Sequence, residues 1–110
     1  MNNEATLDRA FLALAHPARR AIVARLTAGS APVAEAARGV RASKPAISKH
    51  VKVLEEAGLV RRTVEGRSHR LRLEPAALDR TSGWLDRQRA LWEAKLDAVE
   101  RHLAREDGRA

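Results

Sequence analysis

The segment from Ser43 to Leu73, SKPAISKHVKVLEEAGLVRRTVEGRSHRLRL, switches hydrophobic period once, and that switch constrains the fold more than any other feature. Ile47, Val51 and Leu54 recur at 0, +4 and +7, the spacing of one helical stripe. Ser43 is a suitable N-cap, because its hydroxyl can accept from an unpaired backbone N–H of the first turn. Pro45 falls in that turn, where a missing N–H costs little. Gly58 then supplies the left-handed residue that commonly ends a helix. Beyond it, Leu59 to Val64 is rich in β-formers, and Leu71 and Leu73 alternate with Arg70 and Arg72. Glu65-Gly66-Arg67-Ser68 reads as the hairpin turn, with Gly66 free to take positive φ. A compact amphipathic helix therefore has to run straight into a short hairpin.

Both elements are basic. The helix face opposite the apolar stripe carries Lys44, Pro45, Ser48, Lys49 and Lys52, and three of the chain's four lysines lie in this helix. Most charged helix faces are simply solvated. A face that is basic toward its N-terminal half, with small hydroxyls of Ser43 and Ser48 among the lysines, also suits a helix entering the major groove. In the hairpin, Arg61, Arg62, Arg67, Arg70 and Arg72 stand against Glu65 alone. Charge on an edge hairpin can serve to prevent sheet-to-sheet sticking. Five arginines are better explained by a hairpin lying along phosphates, which guanidinium groups grip bidentately.

The remainder reads as scaffold. Thr6–Ala15 is predicted as a first helix with Leu7, Phe11 and Leu14 on one stripe. Pro17 starts a second helix reaching Ala28, with Ile22, Val23 and Leu26 inward and Gly29 ending it. Ser30-Ala31-Pro32 opens a short third helix, Val33 to Arg38, closed by Gly39. That helix, a tight connector and the helix from Ser43 make a helix-turn-helix, which the hairpin makes winged. After Glu74-Pro75 a long helical tract begins, with Thr81-Ser82-Gly83 expected to end a short helix and cap the next. From Trp84 onward Leu85, Leu91, Trp92, Leu96, Val99 and Leu103 repeat at roughly seven-residue intervals, an amphipathic helix. It either packs on its own domain or forms a subunit interface, and two tryptophans suit the interface. The expected dimer surface is Leu7, Phe11, Leu14, Leu85, Leu91, Trp92, Leu96 and Val99. Arg105 to Ala110 are expected to fray. The fold class is thus mostly α with a small β-hairpin wing, a winged helix-turn-helix dimerising through its first and last helices. Residues 1–110 form one domain, with a recognition helix at 43–57, a wing at 59–73 and a dimerisation helix at 84–103.

The 110 residues carry a formal net charge of +7, which points to nucleic acid or an anionic surface. Cysteine is absent, which excludes disulfides, thiolate metal sites and a cysteine nucleophile. No apolar run approaches the ~20 residues of a membrane span, and the N-terminus lacks the pattern of a signal peptide, so a cytoplasmic protein without membrane partners is expected. There is no Gly-rich phosphate loop, metal-ligand set or nucleophile elbow. Ser48 and His50, two apart on a helix, point in different directions. Catalysis is not expected, and neither is a cofactor.

Leu14-Ala15-His16-Pro17-Ala18-Arg19-Arg20-Ala21-Ile22, then Ser43–Leu59 and the Gly66-Arg67 wing resemble the ArsR family of bacterial winged-helix transcriptional repressors. The resemblance runs from about Leu7 to Leu103 and implies a homodimer on double-stranded DNA. Carried over by position, Ser43, Lys44, Pro45, Ser48, Lys49 and His50 fall on the recognition helix, and Arg62, Arg67 and Arg70 on the wing; Lys52 joins the basic face. His50 lies at the flank, where burial or a phosphate contact is as reasonable as a base contact. Many members sense metals through cysteines on the third helix, which here reads Val33-Ala34-Glu35-Ala36-Ala37-Arg38. Others use paired Asp and His on the terminal helices. Here His102 has Asp97 five residues before it, off its helix face, and no His–Glu pair at helical spacing is expected. A metal-independent repressor on an inverted repeat is the leading expectation, with any small-molecule effector unidentified. The alternatives are a metal- or ligand-responsive repressor of the same fold, or a winged helix that binds only proteins.

Overall fold

The computed structural model describes residues 3–108; Met1, Asn2, Arg109 and Ala110, which include the end of the tail expected to fray, lie outside them. In chain order the elements are α1 (Asn3–Leu14), α2 (Pro17–Leu26), β1 (Ala31–Pro32), α3 (Val33–Ala36), α4 (Lys44–Glu56), β2 (Val60–Glu65), β3 (Ser68–Leu73) and α5 (Pro75–Asp107).

The α1–α2 elbow is built by the residues His16 to Arg20. His16 is extended at φ −148° and ψ 130°, and its Nδ1 accepts the Ala18 N–H at 3.0 Å, capping α2. Arg19 reaches back to donate from Nε to the Ala13 carbonyl and from Nη2 to Leu12. Arg20 donates to the Leu14 carbonyl at 2.8 Å. The last carbonyls of a helix have no partner within it, and cations at a helix C-terminus also meet its negative dipole end. Two arginines of α2 thus close the end of α1.

Ser43 caps α4, its Oγ accepting from Ala46 N–H at 3.3 Å. At the far end Gly58 adopts φ 75°, and Leu59 N–H returns to the Leu54 carbonyl, an arrangement that needs the left-handed residue. Leu59 is thereby pulled into the core. Strands β2 and β3 pair antiparallel with Val60 opposite Leu73 and Glu65 opposite Ser68. Gly66 at φ 61° occupies the first central turn position, the place a type II′ hairpin reserves for glycine.

The structure corrects four expectations about elements. Ala31-Pro32 does lead into the third helix, with Pro32 at its N-cap, but it is also a strand that pairs with β3, Ala31 opposite Leu71, so the sheet has three strands in the order β1-β3-β2 and not the two of a hairpin. Proline is tolerated there because β1 lies at the sheet edge. The third helix is shorter than predicted, ending at Ala36, because the chain turns through Ala37 to Gly39. The break at Thr81-Ser82-Gly83 does not occur. Thr81 is buried and its hydroxyl donates to the Ala77 carbonyl one turn back, so the side chain that could cap a new helix is absorbed by the old one. Arg105 to Asp107 do not fray but continue α5.

Ile22, Val51, Leu54, Leu59 and Leu71 are the largest fully buried side chains. They come from α2, α4, the α4–β2 junction and β3, so the core lies directly beneath α4 and the sheet. Ala10 and Ala13 bring α1 close. Helix α5 has 33 residues, about 50 Å, and only its first turns reach this core, through Ala77 and Leu78. The molecule is consequently elongated, 75 × 33 × 22 Å. Along the projecting part Leu85, Leu91, Trp92, Leu96, Val99 and Leu103 are each at least 40% exposed. No helix among the described residues is long and apolar enough to cross a membrane.

Candidate nucleic-acid interface

Amphipathicity decides which face of α4 is free. Val51 and Leu54 are buried, and Ile47 and Val53 pack partly against the core. Ser43, Lys44, Pro45, Ser48, Lys49 and Lys52 are all exposed. The structure thus brings six of the expected residues onto one solvent-facing surface at the start and middle of the helix.

His50 does not join that surface. Its ring lies 4.4 Å from that of His16, centroid to centroid, and its Nδ1 is 3.2 Å from Arg19 Nη1. A guanidinium can only donate, so Nδ1 is the acceptor and the imidazole is neutral. Burial first, then the charges of His16 and Arg19, lower the His50 pKa from its usual 6.5. The folded state therefore holds this proton more weakly than the unfolded chain. The resulting stabilisation is complete above about pH 6.5 and is lost as pH falls through that value toward the lower folded pKa. In denaturant titrations the wild type should lose more stability between about pH 8 and pH 5.5 than His50→Gln does. Equal losses would show that His50 carries no such linkage.

The wing differs from expectation in how its arginines are held. Arg62 is not free for phosphate: its guanidinium meets Glu55 Oε1 of α4 at 2.7 Å and approaches His69 Nδ1 at 3.1 Å. Arg61 Nε lies 3.2 Å from Glu74 Oε2, close enough to attract but off the line of a good hydrogen bond. Arg70 donates to the Ser30 carbonyl at 3.1 Å and also approaches its hydroxyl, tying β3 to the approach to β1. The expectation that only Glu65 opposes the five arginines fails because Glu55 and Glu74 reach the hairpin from α4 and from the start of α5. Arg67, at the turn, and Arg72 are exposed, and no ion pair or hydrogen bond engages either among the described residues. Arg72 was recognisable as one of the alternating arginines, and its freedom became visible only with the sheet.

On the expected interface residues the structure is divided. Leu14 packs against the core, and Phe11 meets Trp84 edge-on at 5.8 Å within the same chain, while Leu7 is half-buried. On α1 it is Leu12, at 67% exposure, that faces solvent, off the stripe that periodicity singled out. His102 does have a helical partner: its Nε2 lies 3.1 Å from Glu106 Oε1, one turn on, contrary to the expectation that no such pair exists.

A helix-turn-helix domain family matches residues 14–63, from the end of α1 into β2. The Mycobacterium tuberculosis HTH-type transcriptional regulator Rv2034 is 45% identical over 80 residues, 73% of this chain and 75% of the relative. The crystal structure of an ArsR family transcriptional regulator, RHA00566, superposes with a TM-score of 0.76 at 36% identity, covering 82% of this chain and 93% of that one. The chain belongs to the ArsR family of transcriptional regulators. An ArsR-like regulator from Rhodococcus sp. RHA1 agrees, with a TM-score of 0.73 at 32% identity over 89% of this chain and 92% of that one. In this regulator the DNA-binding unit is the winged helix formed by α3, α4 and the hairpin. Its lack of cysteine fits a subgroup without a thiolate metal site.

Proposed function

We propose that the regulator is a homodimeric, sequence-specific repressor that binds an inverted-repeat operator in double-stranded DNA, and that it acts in the cytoplasm. The observation that carries this reading is the exposed face Ser43, Lys44, Ser48, Lys49 and Lys52 on a helix whose other face is locked into the core. Residues 43–57 then act as the recognition helix, with the N-terminal half toward base edges. Ser43, Lys44, Ser48 and Lys49 supply discrimination, and Pro45 shapes the entry to the groove. In the wing, residues 59–73, phosphate is gripped mainly by Arg67 and Arg72; Arg70 lends charge from its place against Ser30, and Arg62 holds the wing to α4. The solvent-facing apolar stripe within residues 84–103 of α5 pairs two copies and sets half-sites about one helical turn apart.

Selection of bound sequences from random duplex DNA at near-physiological salt should enrich an inverted repeat. Binding without a common motif would leave only nonspecific phosphate contacts, and no binding would favour a protein-interaction module. On the selected site, Lys49→Ala should weaken binding by ~1–3 kcal/mol, roughly 5- to 150-fold, with the dimer intact. Unchanged affinity in a gel-shift titration would remove Lys49 from the reading set.

A further inference from the structure

Between α1 and the first turns of α5 lies a cavity of about 400 Å³, within the range of small-molecule sites. Leu7 and Ala10 line it from α1, Ala57 from the end of α4, and Ala77 and Trp84 from α5. Trp84 is held there by its edge-on contact with Phe11, ring planes at 76°, and remains 38% exposed. Thr6 and Thr81 add hydroxyl-bearing side chains to a wall whose apolar part is small residues and one large aromatic surface.

Two arginines face this cavity. Arg80 and Arg87 line it on either side of Trp84, on the α5 face marked by Ala77, Arg80, Trp84 and Arg87 at 0, +3, +7 and +10. No described carboxylate forms an ion pair with either guanidinium. Glu4 also lines the cavity, which leaves its charge balance positive by one. Between the two arginines sits Gly83, in the interior of a helix where glycine is unfavourable relative to alanine. A Cβ there would come within 3.4 Å of Arg87 Nη1. The missing side chain is the space over which the Arg87 guanidinium lies.

We infer that the α1–α5 cavity is a binding site for an organic carboxylate with an aromatic body. The ring lies against Trp84 among Leu7, Ala10 and Ala77, and the carboxylate is received by Arg80 and Arg87. A planar guanidinium accepts a carboxylate bidentately, and an aromatic face favours an offset or edge-on ring. Every one of these lining residues belongs to one chain; Leu85, Trp92, Leu96 and Val99 lie round the helix from this face, which Leu91 continues at +14 from Ala77.

Isothermal titration calorimetry of the full chain without DNA, using sodium naphthoate and its neutral isostere naphthamide, tests the site separately from any operator reading. The expected result is one naphthoate per chain, with naphthamide at least tenfold weaker. Arg80→Gln with Arg87→Gln should weaken naphthoate at least tenfold and leave naphthamide unchanged. Gly83→Met, which raises helix propensity and so keeps the fold, should weaken naphthoate by crowding Arg87. Equal affinities for the acid and the amide, wild-type affinity in the arginine variant, or no binding of either compound would each overturn the inference. So would a variant that changes the sedimentation coefficient with naphthoate affinity intact, because the arginines would then serve a second copy of the chain.

Discussion

Replacing Trp92 and Leu96 of α5 by glutamate is expected to convert the regulator to a monomer and to weaken operator binding by roughly 10²–10⁴-fold. Trp92 is 61% exposed and Leu96 40% exposed in the single chain, and Leu85, Val99 and Leu103 extend the same stripe. Burying side chains of this size against a second copy contributes about 1.5–3 kcal/mol each. A glutamate in their place has to leave water without a partner, which costs several kcal/mol more per buried charge. The effect on DNA is indirect. In the proposed dimer two tethered recognition helices engage their half-sites with a high effective concentration, and separated chains lose it. Neither residue supports the core of its own chain, so the far-UV spectrum and the denaturant midpoint of the monomeric unit should change little. Sedimentation velocity and gel-shift titration at one fixed salt concentration make the comparison. A variant that remains dimeric would place the interface elsewhere, with Leu12 of α1 the next surface to mutate.

Leu54→Ala should have the largest effect on stability, about 2–5 kcal/mol. Leu54 is 0% exposed, and its carbonyl also receives the Leu59 N–H that turns the chain from α4 into the wing. Removing its side chain leaves a cavity among Ile22, Val51 and Leu71, which come from three different elements and cannot all move inward together. The denaturant midpoint should fall without a change in slope, because the area exposed on unfolding stays nearly the same. The comparison requires equal protein concentrations, since the proposed dimerisation would add to apparent stability. Lys49→Ala provides the contrast, a change in DNA affinity with stability held within about 0.5 kcal/mol, as expected of an exposed side chain. A loss below about 1 kcal/mol for Leu54→Ala would mean that the helix repacks onto the core as a unit.

The parts of the interface that were legible in advance are those that local rules specify. The stripe Ile47, Val51, Leu54 determines which face of α4 is buried and therefore that Lys44, Ser48, Lys49 and Lys52 face solvent. Ser43, Gly58 and Gly66 mark the ends of α4 and the hairpin turn through backbone requirements of single residues. Charge pairing was not legible in the same way. Glu55 precedes Arg62 by seven residues and Glu74 follows Arg61 by thirteen, and no local rule connects them. The cluster of His16, Arg19 and His50 joins residues 31 or more apart and becomes visible only when α2 meets α4.

By itself, then, the amino-acid sequence determined the order of helices and hairpin, the basic face of α4, and an apolar stripe on α5, because each depends on periodicity or on one residue's backbone preference. Tertiary structure decided which of those charges and apolar groups are free. It tied Arg62 to Glu55, set the His50 ring against His16 and Arg19 at the start of α2, and packed Leu14 against the core. It added β1 to the sheet through a two-residue pairing too short to carry a period. It also kept α5 unbroken through Thr81-Ser82-Gly83. There the packing of Ala77 and the buried Thr81 hydroxyl bond outweigh a weak local preference for a break of ~1 kcal/mol. Long-range packing acts over many residues at once, and a local preference of that size yields to it.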